Sequence, residues 1–197
     1  MKDPFPADVR KWAAITDRLL GEFPVPPAEL VKVVLASWED IFHSRIGARG
    51  YQIGADIWPE PQIMGFLLHE LVPLNLVAAY PGQWRRGAAR ECDAVYVPTS
   101  DWSFEIKTSS SRSGIFGNRS YAQVGPVPRK QRGSCFLAIN FGKFGAKGTR
   151  PEISLIRFGY LGPKDWVGQR AESGQKARLT KEARAYKLRI IYEQLPE

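Results

Sequence analysis

Ser103-Phe104-Glu105-Ile106-Lys107 is the stretch that decides the fold, taken together with Asp93 a little upstream. Side chains alternate faces along a strand, so Phe104 and Ile106 share one face while Glu105 and Lys107 share the other. The segment Asp93-Ala94-Val95-Tyr96-Val97 also has the character of a strand, and Pro98-Thr99-Ser100-Asp101 between the two is a cluster of turn formers. A hairpin is predicted, bringing Asp93 and Glu105 toward the same end of neighbouring strands. Packing alone does not call for a carboxylate and an ammonium side by side at the end of an apolar strand. Two carboxylates and a lysine gathered there can hold a hard divalent cation and a phosphate.

Upstream, the spacing predicts helices. One starts near Asp8, with Trp12, Ile15 and Leu19 along a stripe, and ends at Gly21 and Pro24. A second follows Pro26-Pro27, with Leu30, Val34, Trp38 and Ile41 on one side, as a scaffold or dimer-forming helix. The glycine-containing segment from Arg45 to Trp58 reads as a loop. A third helix follows Pro59-Glu60-Pro61, and Ile63, Met64, Phe66, Leu67, Leu68 and Leu71 make it apolar nearly all round, which predicts burial. Glu70 projects from an apolar part of that helix. A buried carboxylate left unpaired costs several kcal/mol, so Glu70 requires a salt bridge, a helix N-terminus or a metal. His69 beside it reads as a packing or hydrogen-bonding residue.

Downstream of Lys107 the composition changes. Thr108-Ser109-Ser110-Ser111-Arg112-Ser113-Gly114 and Gly117-Asn118-Arg119-Ser120-Tyr121-Ala122-Gln123 are polar and basic, and Arg129, Lys130 and Arg132 follow. Few of these side chains pack a core, whereas hydroxyls, amides and guanidinium groups bond to phosphate oxygens and base edges. Ser109, Ser110, Asn118, Arg119, Ser120, Tyr121, Gln123, Arg129, Lys130 and Arg132 are therefore the candidate nucleic-acid contacts. A net charge of +8 points the same way, toward a polyanionic partner. Two further strands, Cys135–Phe141 and Ile153–Tyr160, flank a basic connection that lacks the G-x-x-x-x-G-K-[ST] order of a nucleotide-binding loop. Asp165 is placed to cap a short helix at Trp166. Thr180 is placed to cap a last helix with Leu188, Ile191 and Tyr192 on its apolar side.

With 197 residues the chain is long enough for one domain with a real core. That domain is expected to comprise a helical N-terminal part (1–60), a catalytic core (61–160) and a C-terminal helical part (161–197). Cys92 and Cys135 sit in or beside strands and read as small buried thiols rather than a disulfide, as in a reducing cytoplasm. His43 and His69, the only histidines, are not spaced with cysteines as zinc ligands would be. Apolar runs break short of a membrane span, and Met1-Lys2-Asp3-Pro4 opens without the apolar run of a signal peptide, so a cytoplasmic location and no membrane partner are expected.

The chemistry suited to these residues is phosphodiester hydrolysis. Mg²⁺ prefers oxygen ligands and keeps several waters, so one or two carboxylates suffice to hold it. Asp93 and Glu105 are the natural ligands, with the Ile106 carbonyl as a third. Lys107 either orients or deprotonates the attacking water, or offsets charge on the phosphate. A helix bearing Glu70, then a hairpin bearing Asp93, Glu105 and Lys107, resembles the PD-(D/E)XK nuclease superfamily. In that resemblance Asp93 is the aspartate, Glu105 the second acid, Lys107 the lysine and Glu70 the accessory glutamate, while Cys92 stands where the motif has proline. The resemblance implies an α/β fold, a mixed central β-sheet flanked by helices.

A narrower resemblance rests on Phe104–Ser110, Gly117–Gln123, Arg157-Phe158-Gly159-Tyr160-Leu161 and Asp165-Trp166-Val167-Gly168-Gln169, blocks that look like the ScaI-type restriction endonucleases. It implies an Mg²⁺-dependent endonuclease that cuts double-stranded DNA at a short palindrome, and hence a homodimer. Two alternatives are a structure-specific repair or junction-resolving nuclease of the same superfamily, and a non-catalytic nucleic-acid-binding protein in which Asp93, Glu105 and Lys107 form only a salt bridge.

Overall fold

The computed structural model describes residues 2–122, 133–145, 148–169 and 176–194, with the side chains of Arg119 and Ser120 outside that set. A 3-10 turn at Val9–Lys11, closed by the Asp8 carboxylate on the Arg10 amide, runs into α1 (Trp12–Glu22). Pro27 opens α2 (Pro27–His43), where a missing amide costs nothing. A small hairpin follows, β1 (Arg45–Ile46) with β2 (Tyr51–Gln52), in the segment expected to be loop. Pro61 likewise opens α3 (Pro61–Ala79). Next come β3 (Trp84–Arg86), β4 (Ala94–Tyr96), β5 (Phe104–Ser109) and β6 (Phe116–Asn118), then a 3-10 turn at Arg119–Ala122. The remaining elements are β7 (Ser134–Phe141), β8 (Ile153–Leu161), β9 (Trp166–Gly168), β10 (Lys176–Leu179), α4 (Lys181–Tyr186) and β11 (Leu188–Glu193).

The central sheet is mixed and six-stranded, in the order β11-β8-β7-β5-β4-β3. β5 and β7 run parallel, and the other neighbours are antiparallel. β7 and β8 are buried along almost their whole length, so both faces of the sheet are covered there. Alternation divides the side chains between the faces. Leu137, Ile139 and Phe141 of β7, with Phe104 and Ile106 of β5, join Leu30, Val34, Trp38 and Ile41 of α2 and Met64, Leu68, Val72 and Leu76 of α3 in the main core. Each fully buried aliphatic side chain there contributes roughly 1.5–3 kcal/mol. Phe136 and Ala138 point the other way, into a smaller core with Ile115, Tyr121, Trp166, Ala177, Ala183 and Leu188. A three-stranded antiparallel sheet, β6-β10-β9, and the short α4 cover that face. Glu105 pairs in register with Phe136 and Lys107 with Ala138, so both charged side chains lie on this second face.

Four expectations are corrected. α3 is not buried all round: Met64, Leu68, Val72 and Leu76 face the core, while Ile63, Phe66 and Leu74 are about half exposed or more, at 51%, 59% and 49%. One side of the helix packs on α2, β3 and β5, and no described element covers the other. At 19 residues α3 is also long and apolar enough to cross a bilayer by length and composition, contrary to the expectation of shorter runs, but here it is built into the core. The C-terminal part is largely strand. Thr180 does cap α4, accepting the Ala183 amide at 3.2 Å, but the helix ends at Tyr186 and Leu188–Glu193 pairs with the edge of β8. Gly159 permits this closure, since a Cβ there would lie 1.9 Å from the Lys187 carbonyl oxygen. Asp165 does not start a helix at Trp166 either; it closes the 3-10 turn Pro163–Asp165 by accepting the Gly162 amide at 2.7 Å, and it pairs with the buried Lys187 at 2.9 Å.

Candidate active site

The predicted hairpin is present. Ala94 pairs with Phe104, which sets Asp93 opposite Glu105 just beyond the end of β4. At that point a side chain takes over from the backbone ladder, and Asp93 Oδ2 accepts the Ile106 amide at 2.6 Å. Gly87 holds the approach to Asp93: its amide donates to the Asp93 carbonyl at 3.0 Å, and a Cβ on it would fall 1.8 Å from the Cys92 carbonyl oxygen. His69 Nδ1 lies 3.3 Å from the same Asp93 Oδ2. Both contacts fall on one carboxylate oxygen. Burial pushes the Asp93 carboxyl upward, but the His69 hydrogen bond and charge, the Ile106 amide and the Lys107 ammonium outweigh it and hold it below the usual carboxylate range.

On β5, Lys107 Nζ lies 3.3 Å from Glu105 Oε2 and donates to the Ile106 carbonyl at 2.9 Å. The ammonium also sits 5.2 Å from the centre of the Tyr121 ring and 5.8 Å from that of Phe136, within cation–π range. The Tyr121 hydroxyl donates to Glu105 Oε2 at 3.2 Å. Burial, and then the Glu105 charge, push the Tyr121 phenol well above its ordinary value, so it remains a donor. The Cys92 thiol, next to Asp93 in the chain, is pushed up to about 12 by burial and by the charges of Glu105 and Asp93, and stays protonated.

Asp93, Glu105, Ile106 and Lys107 are thus brought together as expected. Glu70 turns elsewhere and forms an ion pair with Arg86 of β3, a residue opposite Ala94. α3 therefore presents His69 to Asp93 and Glu70 to Arg86. Sequence reasoning missed His69 as a site residue and placed Tyr121 among the DNA contacts, whereas Tyr121 is buried, packed on Trp166, with its hydroxyl on Glu105. A signal for His69 was present in Gly65, one turn earlier on α3. A Cβ at Gly65 would lie 2.5 Å from Thr108 Oγ1, so the glycine lets α3 approach β5 closely on the flank that carries His69.

A hard cation suits this donor set. The carboxylates of Asp93 and Glu105 and the Ile106 carbonyl are oxygen ligands on adjoining strands, and the Lys107 ammonium already rests against two of those groups, so the place accommodates positive charge. Among the described residues no group of three or more His, Cys, Asp or Glu side chains is arranged to hold a metal. A donor set this small matches a cation that keeps most of its water, rather than one caged by protein ligands.

The other candidate contacts are distributed around β5 and β6. Ser109 and Ser110 are half-buried at the end of β5, where Ser109 Oγ accepts the Ser111 amide at 3.1 Å. Asn118 is exposed and pairs with Lys176 of β10. Arg119 and Ser120 lie in the 3-10 turn, with side chains outside the described set. Gln123, Arg129, Lys130 and Arg132 lie outside the described residues.

Comparison with known proteins bears on this site as a whole. The chain is 45% identical over 175 residues to a protein from Streptomyces caespitosus described as type II restriction enzyme ScaI, an alignment that spans 87% of this chain and 76% of that one. The characteristic sequence pattern of the ScaI restriction endonucleases matches residues 5–192, a span that takes in both faces of the central sheet and every element of the site. The chain belongs to the ScaI restriction endonuclease family.

Proposed function

We propose that the chain hydrolyses phosphodiester bonds in duplex DNA at a palindromic site with Mg²⁺, using a PD-(D/E)XK core within a single nuclease domain. Family membership makes it a sequence-specific restriction endonuclease, a type II site-specific deoxyribonuclease. The observation that carries the finer reading is the convergence of Asp93 and Glu105 on either side of the Ile106 amide and carbonyl, with Lys107 alongside.

Asp93, Glu105 and the Ile106 carbonyl would hold the Mg²⁺, which when bound polarises the phosphate and lowers the pKa of its water. His69 and the Ile106 amide fix Asp93, and Tyr121 fixes Glu105, so both carboxylates meet their load preorganised. Lys107 orients the attacking water or balances charge on the phosphate. Glu70, tied to Arg86, supports the site from α3. Ser109, Ser110, Asn118, Arg119, Ser120, Gln123, Arg129, Lys130 and Arg132 are the proposed DNA contacts, and Tyr121 supports them from below.

A palindrome has two-fold symmetry, so a homodimer is part of the proposal, as is a cytoplasmic setting in which Cys92 and Cys135 remain free thiols. Digestion of a long linear DNA tests the reading. Discrete bands whose sequenced ends share one palindrome support it. Cutting that depends on branches instead would move the protein to the repair class. Sedimentation at twice the chain mass supports the dimer, and a monomer on cognate DNA would contradict it.

A further inference from the structure

The segment that leaves the end of β5 is held from beneath by two buried polar side chains. Asn140 of β7 and Arg157 of β8 are 1% and 4% exposed. Asn140 Nδ2 donates to the Ser111 carbonyl at 2.7 Å and to the Gly114 carbonyl at 3.0 Å. Arg157 Nη2 donates to the Ser113 carbonyl at 2.9 Å and to Asn140 Oδ1 at 2.7 Å. With Gly114 donating to Ser111 Oγ at 3.1 Å, the backbone from Ser111 to Gly114 is tied on its inner side. The side chains of Ser111, Arg112 and Ser113 are exposed.

Core packing does not account for this arrangement. Arg157 is a buried guanidinium whose hydrogen bonds among the described residues go to neutral oxygens, the Ser113 carbonyl and Asn140 Oδ1, and its Nε has no hydrogen-bond partner. A buried cation is costly unless something offsets it. Its cost is offset only in part by Asn140 and a carbonyl, and its positive charge lies under the loop that follows β5, the strand that carries Lys107. Ser111, Ser113 and Gly114, the anchored positions, bracket Arg112.

We propose that Arg112 contacts a DNA phosphate near the scissile bond, and that Asn140 and Arg157 are positioning residues that clamp the loop presenting it. The inference rests on the reading of this protein as a DNA endonuclease. A clamped loop lets Arg112 bind without first paying the entropy of ordering its backbone. A phosphate contact weakens binding evenly across sequences and contributes about one unit to the dependence of log affinity on log salt.

The test is a binding titration with cognate and one-base-altered duplexes in Ca²⁺, on wild type, Arg112→Ala, Asn140→Asp and the double variant. Asn140→Asp keeps the size and the acceptor for Arg157 but loses both donations to the loop. Arg112→Ala is expected to weaken binding to both duplexes by about fivefold to tenfold and to reduce the salt slope by about one. Asn140→Asp is expected to weaken binding in the same way, and the double variant to be little weaker than Arg112→Ala alone, because the clamp acts through Arg112. Should Asn140→Asp not fold, Arg157→Lys takes its place in the cycle. Unchanged affinity and salt slope in Arg112→Ala, with a wild type that still binds and cuts, overturns the inference while leaving the endonuclease reading intact. Fully additive losses overturn the clamp. A wild type that neither binds nor cuts DNA brings down the endonuclease reading and this inference with it.

Discussion

Asp93 and Ile106 are joined side chain to backbone: Asp93 Oδ2 accepts the Ile106 amide at 2.6 Å at the point where β4 ends and β5 runs on. The contact takes the place of a missing ladder bond and fixes the carboxylate beside Glu105. An asparagine at this position still offers the Ile106 amide an oxygen but brings no negative charge. Asp93→Asn is therefore expected to fold, to bind DNA, and to lose cleavage by about two orders of magnitude or more, the scale of several kcal/mol of charge stabilisation. Circular dichroism and single-turnover cleavage check this together. Loss of the fold would make Asp93 a structural residue instead.

Tyr121 gives a second test. Its hydroxyl donates to Glu105 Oε2 at 3.2 Å, and bonds to charged groups are worth about 1.5–3 kcal/mol. Tyr121→Phe removes that bond and keeps the ring. We expect kcat to fall about tenfold or more with KM little changed. A rise in KM at constant kcat would return Tyr121 to the DNA contacts.

The hairpin was legible because both of its signals are local: alternation in Ser103–Lys107 and turn formers at Pro98–Asp101. α2 was legible for the same reason, since Leu30, Val34, Trp38 and Ile41 recur at helical spacing and all are buried. The remaining features depended on partners far along the chain. Leu188, Ile191 and Tyr192 fit a helical stripe equally well, and only the open edge of β8 decides for a strand. β6, β9 and β10 are short strands whose pairing is with one another, so no single segment announces them. His69 is a site residue through Asp93, and adjacent positions on a helix do not reveal which of His69 and Glu70 turns toward Asp93.

Gly65 is where α3 meets β5. A Cβ there would come within 2.5 Å of Thr108 Oγ1, and Thr108 stands on the strand that carries Glu105 and Lys107. Gly65→Ala is expected to cost about 1–3 kcal/mol of stability by overpacking, despite the better helix propensity of alanine. Thr108→Ala should recover most of that loss in the double variant. Urea denaturation measures both, and a stabilised Gly65→Ala would show that the helix does not press on β5.

The lowered Asp93 pKa has a sign that can be followed. A carboxylate held below its unfolded value, about 3.9, adds stability that is complete above that value and is lost as pH falls through the lower folded value. Without divalent metal, wild type should lose melting temperature more steeply below about pH 4 than Asp93→Asn. Asp8 and Asp17, lowered by Arg10 and Arg189, titrate in both proteins and cancel in the comparison. Parallel acid profiles would mean that the Asp93 contacts add no stability.

The most direct test is supercoiled plasmid incubated with wild type and Glu105→Ala, each with Mg²⁺ and with EDTA. Wild type with Mg²⁺ is predicted to give discrete linear fragments. EDTA and Glu105→Ala are predicted to leave the plasmid supercoiled, while the variant still shifts cognate duplex in a binding gel. Plasmid left intact by folded wild type at every Mg²⁺ concentration, or cut equally well by Glu105→Ala, would contradict the assignment of Asp93, Glu105 and Lys107 as the centre of a metal-dependent nuclease.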